Sequence, residues 1–97
     1  MSDIKNKSGI LPWHIEGVQS APAKPGVYVL RTATDVASII YIGSSENIEK
    51  RLREIFLSSE IPGVSFFDWY ETETVDKAIP IERKWIQDYK PKLNLIS

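Results

Sequence analysis

Residues 25–43, PGVYVLRTATDVASIIYIG, decide the fold of this chain. Two apolar runs within the stretch, residues 26–30 and 38–43, carry one tyrosine each, Tyr28 and Tyr41. Valine, isoleucine and tyrosine favour strands, and glycine or proline punctuates both ends of the stretch. The residues between the runs are mostly small or polar. The stretch therefore predicts a β-hairpin with a loop of moderate length and a phenol on each strand.

A helix is predicted directly after the hairpin. Apolar residues at positions 48, 52, 55 and 56 follow the i, i+4, i+7, i+8 spacing of one helical face. Ser45 is the expected N-cap, and the helix should end near Ser58. Arg51 lies three residues after the first of these apolar positions and four before the third. It should therefore lie at the edge of the buried face.

A third strand and a second helix follow. The aromatic-rich residues 64–72, VSFFDWYET, predict the strand. Thr74 is the expected N-cap of a helix over residues 75–89, which Pro91 ends before an extended tail. Glu82 projects from within the apolar face of this helix. The other members of that face are Ala78, Ile81, Trp85, Ile86 and Tyr89. The order β-β-α-β-α predicts an α/β (α+β) domain.

The residues before the hairpin predict an arm rather than part of the core fold. We place the arm at residues 1–21 and the domain at residues 22–97. The first eight residues are polar and should be frayed. Trp13 and its apolar neighbours make the rest of the arm apolar enough to pack on the domain. We expect His14 to have a structural rather than a catalytic role.

Composition limits the classes of function. The 97 residues are 42% hydrophobic and 10% aromatic, which is typical of one globular domain. With no cysteine and a single histidine, the chain offers no disulfide, thiolate site or histidine-rich metal site, so a hard cation would need oxygen ligands. No apolar run approaches the ~18–20 residues that span a bilayer, and no signal-peptide core is visible. We therefore expect no membrane association and a cytoplasmic location.

Charge gives only a local signal. The formal net charge of −1 does not indicate nucleic-acid binding by itself. Residues 82–92 carry an excess of basic groups, namely Arg83, Lys84, Lys90 and Lys92. This basic strip is consistent with modest phosphate binding, for which Lys84 is a candidate, and equally with a solvated helix face.

Each predicted helix places one charged side chain at its core-facing side, Arg51 on the first and Glu82 on the second. Carboxylates are rarely buried unless they are paired or bound to a metal. One interpretation is an internal ion pair with a purely structural role. The other is a cleft in which Glu82 holds a divalent cation beside Arg51 and the two tyrosines.

The order of these residues resembles the GIY-YIG nuclease superfamily. Residues 26–28 (GVY) and 41–43 (YIG) match its two motifs, and Arg51 follows the second tyrosine by ten positions. Glu82 then precedes a Lys-Pro-x-x-Asn ending at Asn94. The opening Pro-x-Lys-Pro-Gly-Val-Tyr is most similar to the excision-repair branch, the N-terminal nuclease domain of the UvrC subunit. The resemblance implies a small three-stranded antiparallel sheet flanked by helices.

The resemblance also implies roles for the four main residues. Glu82 would ligate one Mg²⁺ or Mn²⁺ ion at the scissile phosphate of DNA. Tyr41 or Tyr28 would orient or deprotonate the attacking water. Arg51 would hold the phosphate and offset the charge that grows on its oxygens.

Smaller groups complete the implied site. Gly43 and Ser44 would let the backbone come close to the phosphate. Asn94 would help to fix the site at its edge, or would only cap the last turn of the chain. Together these roles predict a DNA-repair type endonuclease that hydrolyses DNA phosphodiester bonds by a tyrosine-assisted, single-metal mechanism.

One position departs from the family pattern. Several family members carry a histidine one helical turn after the arginine, where this chain has Ile55. The alternative function is therefore a catalytically weak or inactive module of the same fold that binds nucleic acid or a protein partner. Because we expect no appended DNA-binding domain, the isolated protein should bind DNA weakly unless it self-associates or a protein partner delivers it.

Overall fold

The computed structural model describes residues 3–94, which form one antiparallel sheet with helices on both faces. The strands are β1 (Ile4–Lys7), β2 (Leu11–Pro12), β3 (Gly26–Arg31), β4 (Ile39–Ser45) and β5 (Phe66–Thr72). The helices are α1 (Ile15–Gln19), α2 (Ile48–Ser58) and α3 (Val75–Tyr89), and a short 3₁₀ helix covers Val36–Ser38. None of the helices in residues 3–94 has the length and apolar character that crossing a membrane requires.

The predicted hairpin is confirmed as the centre of the fold. β3 pairs antiparallel with β4 on one side and with β5 on the other, and it is buried along its whole length. In this register Tyr28 lies opposite Gly43 of β4 and Trp69 of β5. The two family motifs are therefore direct neighbours across one pair of strands.

The sheet has five strands in the described residues, not the three that the resemblance implied. The order is β1-β5-β3-β4, and β2 also pairs with β5. Both additional strands come from the N-terminal arm and pair with the side of β5 that faces away from β3. The predicted fraying of the first eight residues is therefore wrong for residues 4–7, which form β1. Its sequence IKNK is short and mostly polar and β2 has only two residues, so neither shows a strand pattern, and the five-residue α1 was not predicted either.

Helices α2 and α3 cover opposite faces of the sheet. The face toward α2 forms one core, whose buried residues include Tyr28, Leu30, Ile48, Leu52 and Ile55. The face toward α3 forms a second core, whose buried residues include Val27, Val29, Ile39, Ile42 and Ala78. Successive side chains of β3 therefore contribute to two separate cores, as the period of two in a strand requires.

The start of α2 differs from the prediction by two residues. Asn47, not Ser45, is the N-cap, and its Oδ1 accepts a hydrogen bond from the Lys50 N–H at 3.0 Å. Ser45 still belongs to β4, and its Oγ accepts the Asn47 N–H at 3.0 Å. The strand thus continues two residues further than the sequence pattern indicates, and the helix ends at Ser58 as predicted.

The second long helix matches its prediction, but the residues after it do not. The Thr74 N-cap and the bounds Val75–Tyr89 are confirmed. Residues 92–94 form a turn instead of an extended tail, because the Asn94 N–H donates to the Pro91 carbonyl at 3.1 Å. The remainder of the predicted tail lies outside the described residues.

A buried ion pair joins the ends of β3 and β5. Arg31 is 8% exposed and Asp68 is 1% exposed. Arg31 Nε and Nη2 donate to the two carboxylate oxygens of Asp68 at 2.9 and 3.1 Å, and the Tyr70 hydroxyl also donates to Asp68. The bidentate hydrogen bonding and the additional donor, the Tyr70 hydroxyl, offset the cost of desolvating both charges.

Replacing Asp68 by asparagine should lower the free energy of unfolding by about 3 kcal/mol, because Arg31 would keep a buried charge without its counter-ion. Urea denaturation followed by circular dichroism measures the change. The matched control is Asp88→Asn, which removes the same charge from an exposed pair with Lys84 and should change stability by less than about 1 kcal/mol. An equally small effect of Asp68→Asn would contradict a stabilising role for the buried pair.

Candidate active site

The Tyr28 side chain crosses β4, the last strand on its side of the sheet, at Gly43. The two residues are direct partners in the β3–β4 register, and Tyr28 is 2% exposed. A Cβ atom built on Gly43 would overlap the hydroxyl and the ring of Tyr28. Only glycine leaves room for the phenol at this position. A steric fit therefore explains the glycine of the YIG motif.

Tyr41 and Arg51 flank the Tyr28 phenol. The Tyr41 ring stacks on the Tyr28 ring, with centroids 6.3 Å apart and planes at 27°. Arg51 extends from α2, and its guanidinium lies close enough to the Tyr28 hydroxyl to lower the pKa of that phenol. Tyr41 and Arg51 are half-buried, whereas Tyr28 is buried. A ligand arriving from solvent would thus meet Tyr41 and Arg51 first.

The environment of Tyr28 favours the neutral phenol. Burial raises the pKa of Tyr28 well above its ordinary value of 10.0, and the neighbouring Tyr41 raises the pKa further. The Arg51 guanidinium opposes the rise only in part, and the Glu82 charge adds to it. Tyr28 is therefore protonated at neutral pH and is a hydrogen-bond donor there.

Glu82 approaches the same point from the opposite face of the sheet. The Ser44 hydroxyl donates a hydrogen bond to Glu82 Oε1 at 2.6 Å. Ser44 follows Gly43 in β4, and its side chain lies on the α3 face because successive strand residues alternate between faces. The Glu82 carboxylate and the Tyr28 phenol therefore meet across the thickness of one strand, at Gly43 and Ser44.

Arg51 and Glu82 do not form the ion pair that the structural interpretation predicted. The two terminal nitrogens of Arg51 donate to the two oxygens of Glu60 at 3.1 and 2.8 Å, and Glu54 lies 3.7 Å away. The hydrogen bonds that Arg51 donates to Glu60 are the main cause of the raised pKa of Arg51, and they hold the Glu60 pKa below its usual value. The sequence pattern did not identify Glu60, because it lies in the turn after α2, outside any helical spacing.

Asn94 binds the outer edge of β4. Its Oδ1 accepts the Ile42 N–H at 2.8 Å, and its Nδ2 donates to the Ile42 carbonyl at 3.0 Å. The Leu93 N–H donates to the Ile40 carbonyl at 2.9 Å. The side-chain amide thus forms the two hydrogen bonds that a neighbouring strand would form with the backbone of Ile42, the residue before Gly43.

Lys84 is not brought together with the other candidate residues. Two residues along a helix correspond to a rotation of about 200°, so Lys84 lies on the side of α3 opposite Glu82. Its side chain is 71% exposed, and its Nζ pairs with Asp88 at 2.9 Å. His14, which we expected to be structural, is an exposed residue at the start of α1.

The donors at Glu82 suit a hard divalent cation. Within residues 3–94 there is no cluster of three or more histidine, cysteine, aspartate or glutamate side chains that could hold a metal ion. Mg²⁺ is nevertheless commonly bound through one or two carboxylates, with water and substrate phosphate as the other ligands. The Glu82 carboxylate and the Ser44 hydroxyl supply oxygen donors of this kind at one place.

The chain is similar to curated proteins named UvrABC system protein C. It is 33% identical over 87 residues to the UvrABC system protein C of Aquifex aeolicus and 30% identical over 88 residues to that of Lachnospira eligens. Each comparison covers 81% of this chain. The chain spans only 15% and 14% of the length of these two relatives.

Solved structures share the fold. The GIY-YIG N-terminal endonuclease domain of UvrC from Thermotoga maritima, as a point mutant bound to its catalytic divalent cation, matches with a TM-score of 0.69 and 24% identity, covering 80% of this chain and 90% of that chain. The magnesium-bound form of the same domain matches with a TM-score of 0.66 and 24% identity, covering 80% and 91%. These likenesses confirm the fold.

The family model described as the GIY-YIG catalytic domain matches residues 24–94, which include both motifs, Arg51, Glu82 and Asn94. The resemblance drawn from the sequence is therefore confirmed, and the chain belongs to the GIY-YIG catalytic domain family.

Proposed function

We propose that this chain is a metal-dependent endonuclease that hydrolyses DNA phosphodiester bonds. The observation that carries the proposal is the meeting of Tyr28, Tyr41 and Arg51 with Glu82 at one short segment of β4. Family membership supports the reaction class, and the Thermotoga maritima domains of the same fold are endonuclease domains bound to a divalent cation.

Glu82 is the residue that we propose to hold one Mg²⁺ or Mn²⁺ ion. The Ser44 hydroxyl hydrogen bonds to one carboxylate oxygen and so fixes the orientation of the side chain. The bound ion would polarise the scissile phosphate as a Lewis acid. Ser44 thus acts on the ion through Glu82, in addition to being small enough for the backbone to approach the phosphate.

Arg51 is the proposed phosphate-binding residue. A guanidinium presents parallel N–H donors that match two oxygens of a phosphate. Its attachment to α2 and its position beside Tyr28 place it near the segment of β4 that Glu82 reaches from the other side. From this position Arg51 can stabilise the negative charge that grows on the phosphate during the reaction.

The two tyrosines have different proposed roles because their surroundings differ. Tyr28 is buried with a raised pKa, so it donates a hydrogen bond that orients the attacking water or the phosphate. Tyr41 is half-buried and accessible, so it is the phenol that we assign to the attacking water, which it would orient or, as the phenolate, deprotonate.

The proposed substrate is DNA, bound weakly by the isolated chain. Few basic side chains surround the site, and phosphate contacts supply most of the affinity of such proteins. We therefore propose that a protein partner or self-association brings the chain to DNA. The similar relatives carry the name of a subunit of the UvrABC system, which makes DNA repair in the cytoplasm the proposed context.

The second candidate is a module of the same fold that binds nucleic acid or a protein without cutting. Ile55 favours it, because this residue takes the place of a histidine found in several family members and is 1% exposed in the α2 core. The position therefore offers no group for proton transfer. The metal titration below separates the two candidates.

Replacing Glu82 by glutamine should lower the cleavage of plasmid and branched DNA by roughly a hundredfold or more, because a neutral amide is a poor ligand for a divalent cation. Nicking is measured with Mg²⁺ or Mn²⁺, and Mn²⁺ binding is measured by calorimetry on the same proteins. The Glu82→Gln variant should lose both DNA nicking and Mn²⁺ binding.

The matched control for this test is Glu73→Gln, which removes one negative charge from a side chain that is 67% exposed. It should cleave DNA and bind Mn²⁺ like the unchanged protein. Equal nicking by the Glu82 variant and the unchanged protein would remove the nuclease proposal. Absence of Mn²⁺ binding in the unchanged protein would favour the module that does not cut.

Replacing Gly43 by alanine should lower cleavage by about a hundredfold, because the added methyl group displaces the Tyr28 phenol and small misplacements are costly to catalysis. Gly9→Ala is the control, since a Cβ on Gly9 meets no atom within 4 Å. Stability measured on the same samples separates unfolding from displacement. A stable Gly43 variant with normal cleavage would contradict the proposed role of Tyr28.

The raised pKa values of Tyr28 and Tyr70 predict late ionisation in the folded protein. Folding favours the neutral phenols, so their contribution to stability is full below the unfolded pKa near 10 and is lost as the pH rises toward the folded pKa. Ultraviolet titration of tyrosinate measures this. Tyr28→Phe and Tyr70→Phe should each remove one step at high pH, and an unchanged high-pH region would refute the assignment.

A further inference from the structure

The Arg51 guanidinium is already occupied by a carboxylate of the same chain. Its two terminal nitrogens donate to the two oxygens of Glu60 at 3.1 and 2.8 Å. Glu60 belongs to the turn after α2, which begins with Ser59 in a left-handed conformation at φ 53°. The turn thus carries a carboxylate back toward the helix and places it on the arginine.

This arrangement has the geometry of phosphate recognition. An arginine binds a carboxylate or a phosphate through the same pair of parallel N–H···O bonds, so one oxyanion excludes the other from that edge. Arg51 also lies beside the Tyr28 hydroxyl. Glu60 therefore covers the Nη1/Nη2 edge, which is one of the two edges through which Arg51 could form a pair of parallel hydrogen bonds with a phosphate.

We propose that Glu60 is a phosphate mimic that occupies the phosphate position on Arg51 and must be displaced when DNA binds. The inference rests on the proposed function, because it assigns Arg51 to the substrate phosphate. It adds a residue that controls affinity and selectivity but takes no part in the chemistry. A single weakly bound anion cannot easily displace Glu60, whereas a polyanion held by several contacts can.

Exposure makes the displacement feasible. The side chains of Arg51 and Glu60 are 30% and 47% exposed, and ion pairs of this kind are weak and are screened by salt. Arg51 keeps a second, longer contact with Glu54 at 3.7 Å on its own helix. The arginine therefore stays near the site when Glu60 leaves.

Replacing Glu60 by glutamine tests the inference, with Glu49→Gln as the matched control. Glu49 pairs with Arg53 at 3.0 Å on the same helix, so both variants lose one charge and release one arginine, but only the first releases Arg51. Binding of a fluorescein-labelled DNA duplex is measured by anisotropy without divalent cation, so cleavage is not needed. Glu60→Gln should bind about threefold to fivefold more tightly than the control at low ionic strength.

Making the same two variants, Glu60→Gln and Glu49→Gln, in an Arg51→Gln background completes a double-mutant cycle. The excess affinity of Glu60→Gln should disappear there, because no released arginine remains to bind phosphate. Equal affinity of Glu60→Gln and Glu49→Gln would overturn the inference. Weaker binding by Glu60→Gln would also overturn it, since that result means that Glu60 holds Arg51 in its productive position.

A second measurement applies if DNA binding is too weak to detect in any variant. Inorganic phosphate is titrated while the arginine side-chain signals are followed by NMR. A larger response of Arg51 in Glu60→Gln than in Glu49→Gln supports the inference, and equal responses overturn it. Because neither measurement uses cleavage, failure of the nuclease proposal in the Glu82 test is distinguishable from failure here.

Discussion

The contact between the Tyr28 ring and the backbone of Gly43 is the constraint on which the site depends. It requires glycine in the edge strand, and it requires that the two motifs pair in one register, since a shift of one residue would move each side chain to the other face. At Gly43, β4 has no side chain of its own between the Tyr28 ring and the backbone. The next residue, Ser44, hydrogen bonds to Glu82. Groups from two separate hydrophobic cores can therefore act on the same place without a deep cleft.

The sequence was sufficient for the parts of the fold that depend on local pattern. The hairpin has a period of two and the long helices a period of 3.6, so their positions could be predicted, and the motif spacing identified Tyr28, Arg51 and Glu82. The partners of these residues could not be predicted in the same way. Ser44 holds Glu82 from 38 residues away, and Glu60 holds Arg51 from an irregular turn, so only the folded backbone brings them together.

The strands that were missed share another physical cause. β1 and β2 are specified by the unpaired side of β5, to which they add, and not by their own residues. The buried ion pair could not be predicted from the sequence either. Arg31 stood in the predicted loop and Asp68 within an aromatic strand, and nothing in either segment shows that they form a buried pair. The sequence pattern of one segment cannot show that a distant segment will supply its strand partner or its counter-ion.

The amide of Asn94 has a consequence beyond support of the strand. A terminal strand normally presents a row of open peptide groups, which can recruit a strand from another molecule. Here a single side chain bonds both the N–H and the carbonyl of Ile42, and the Leu93 backbone bonds Ile40. The border of the sheet next to Gly43 is thereby withheld from intermolecular strand exchange.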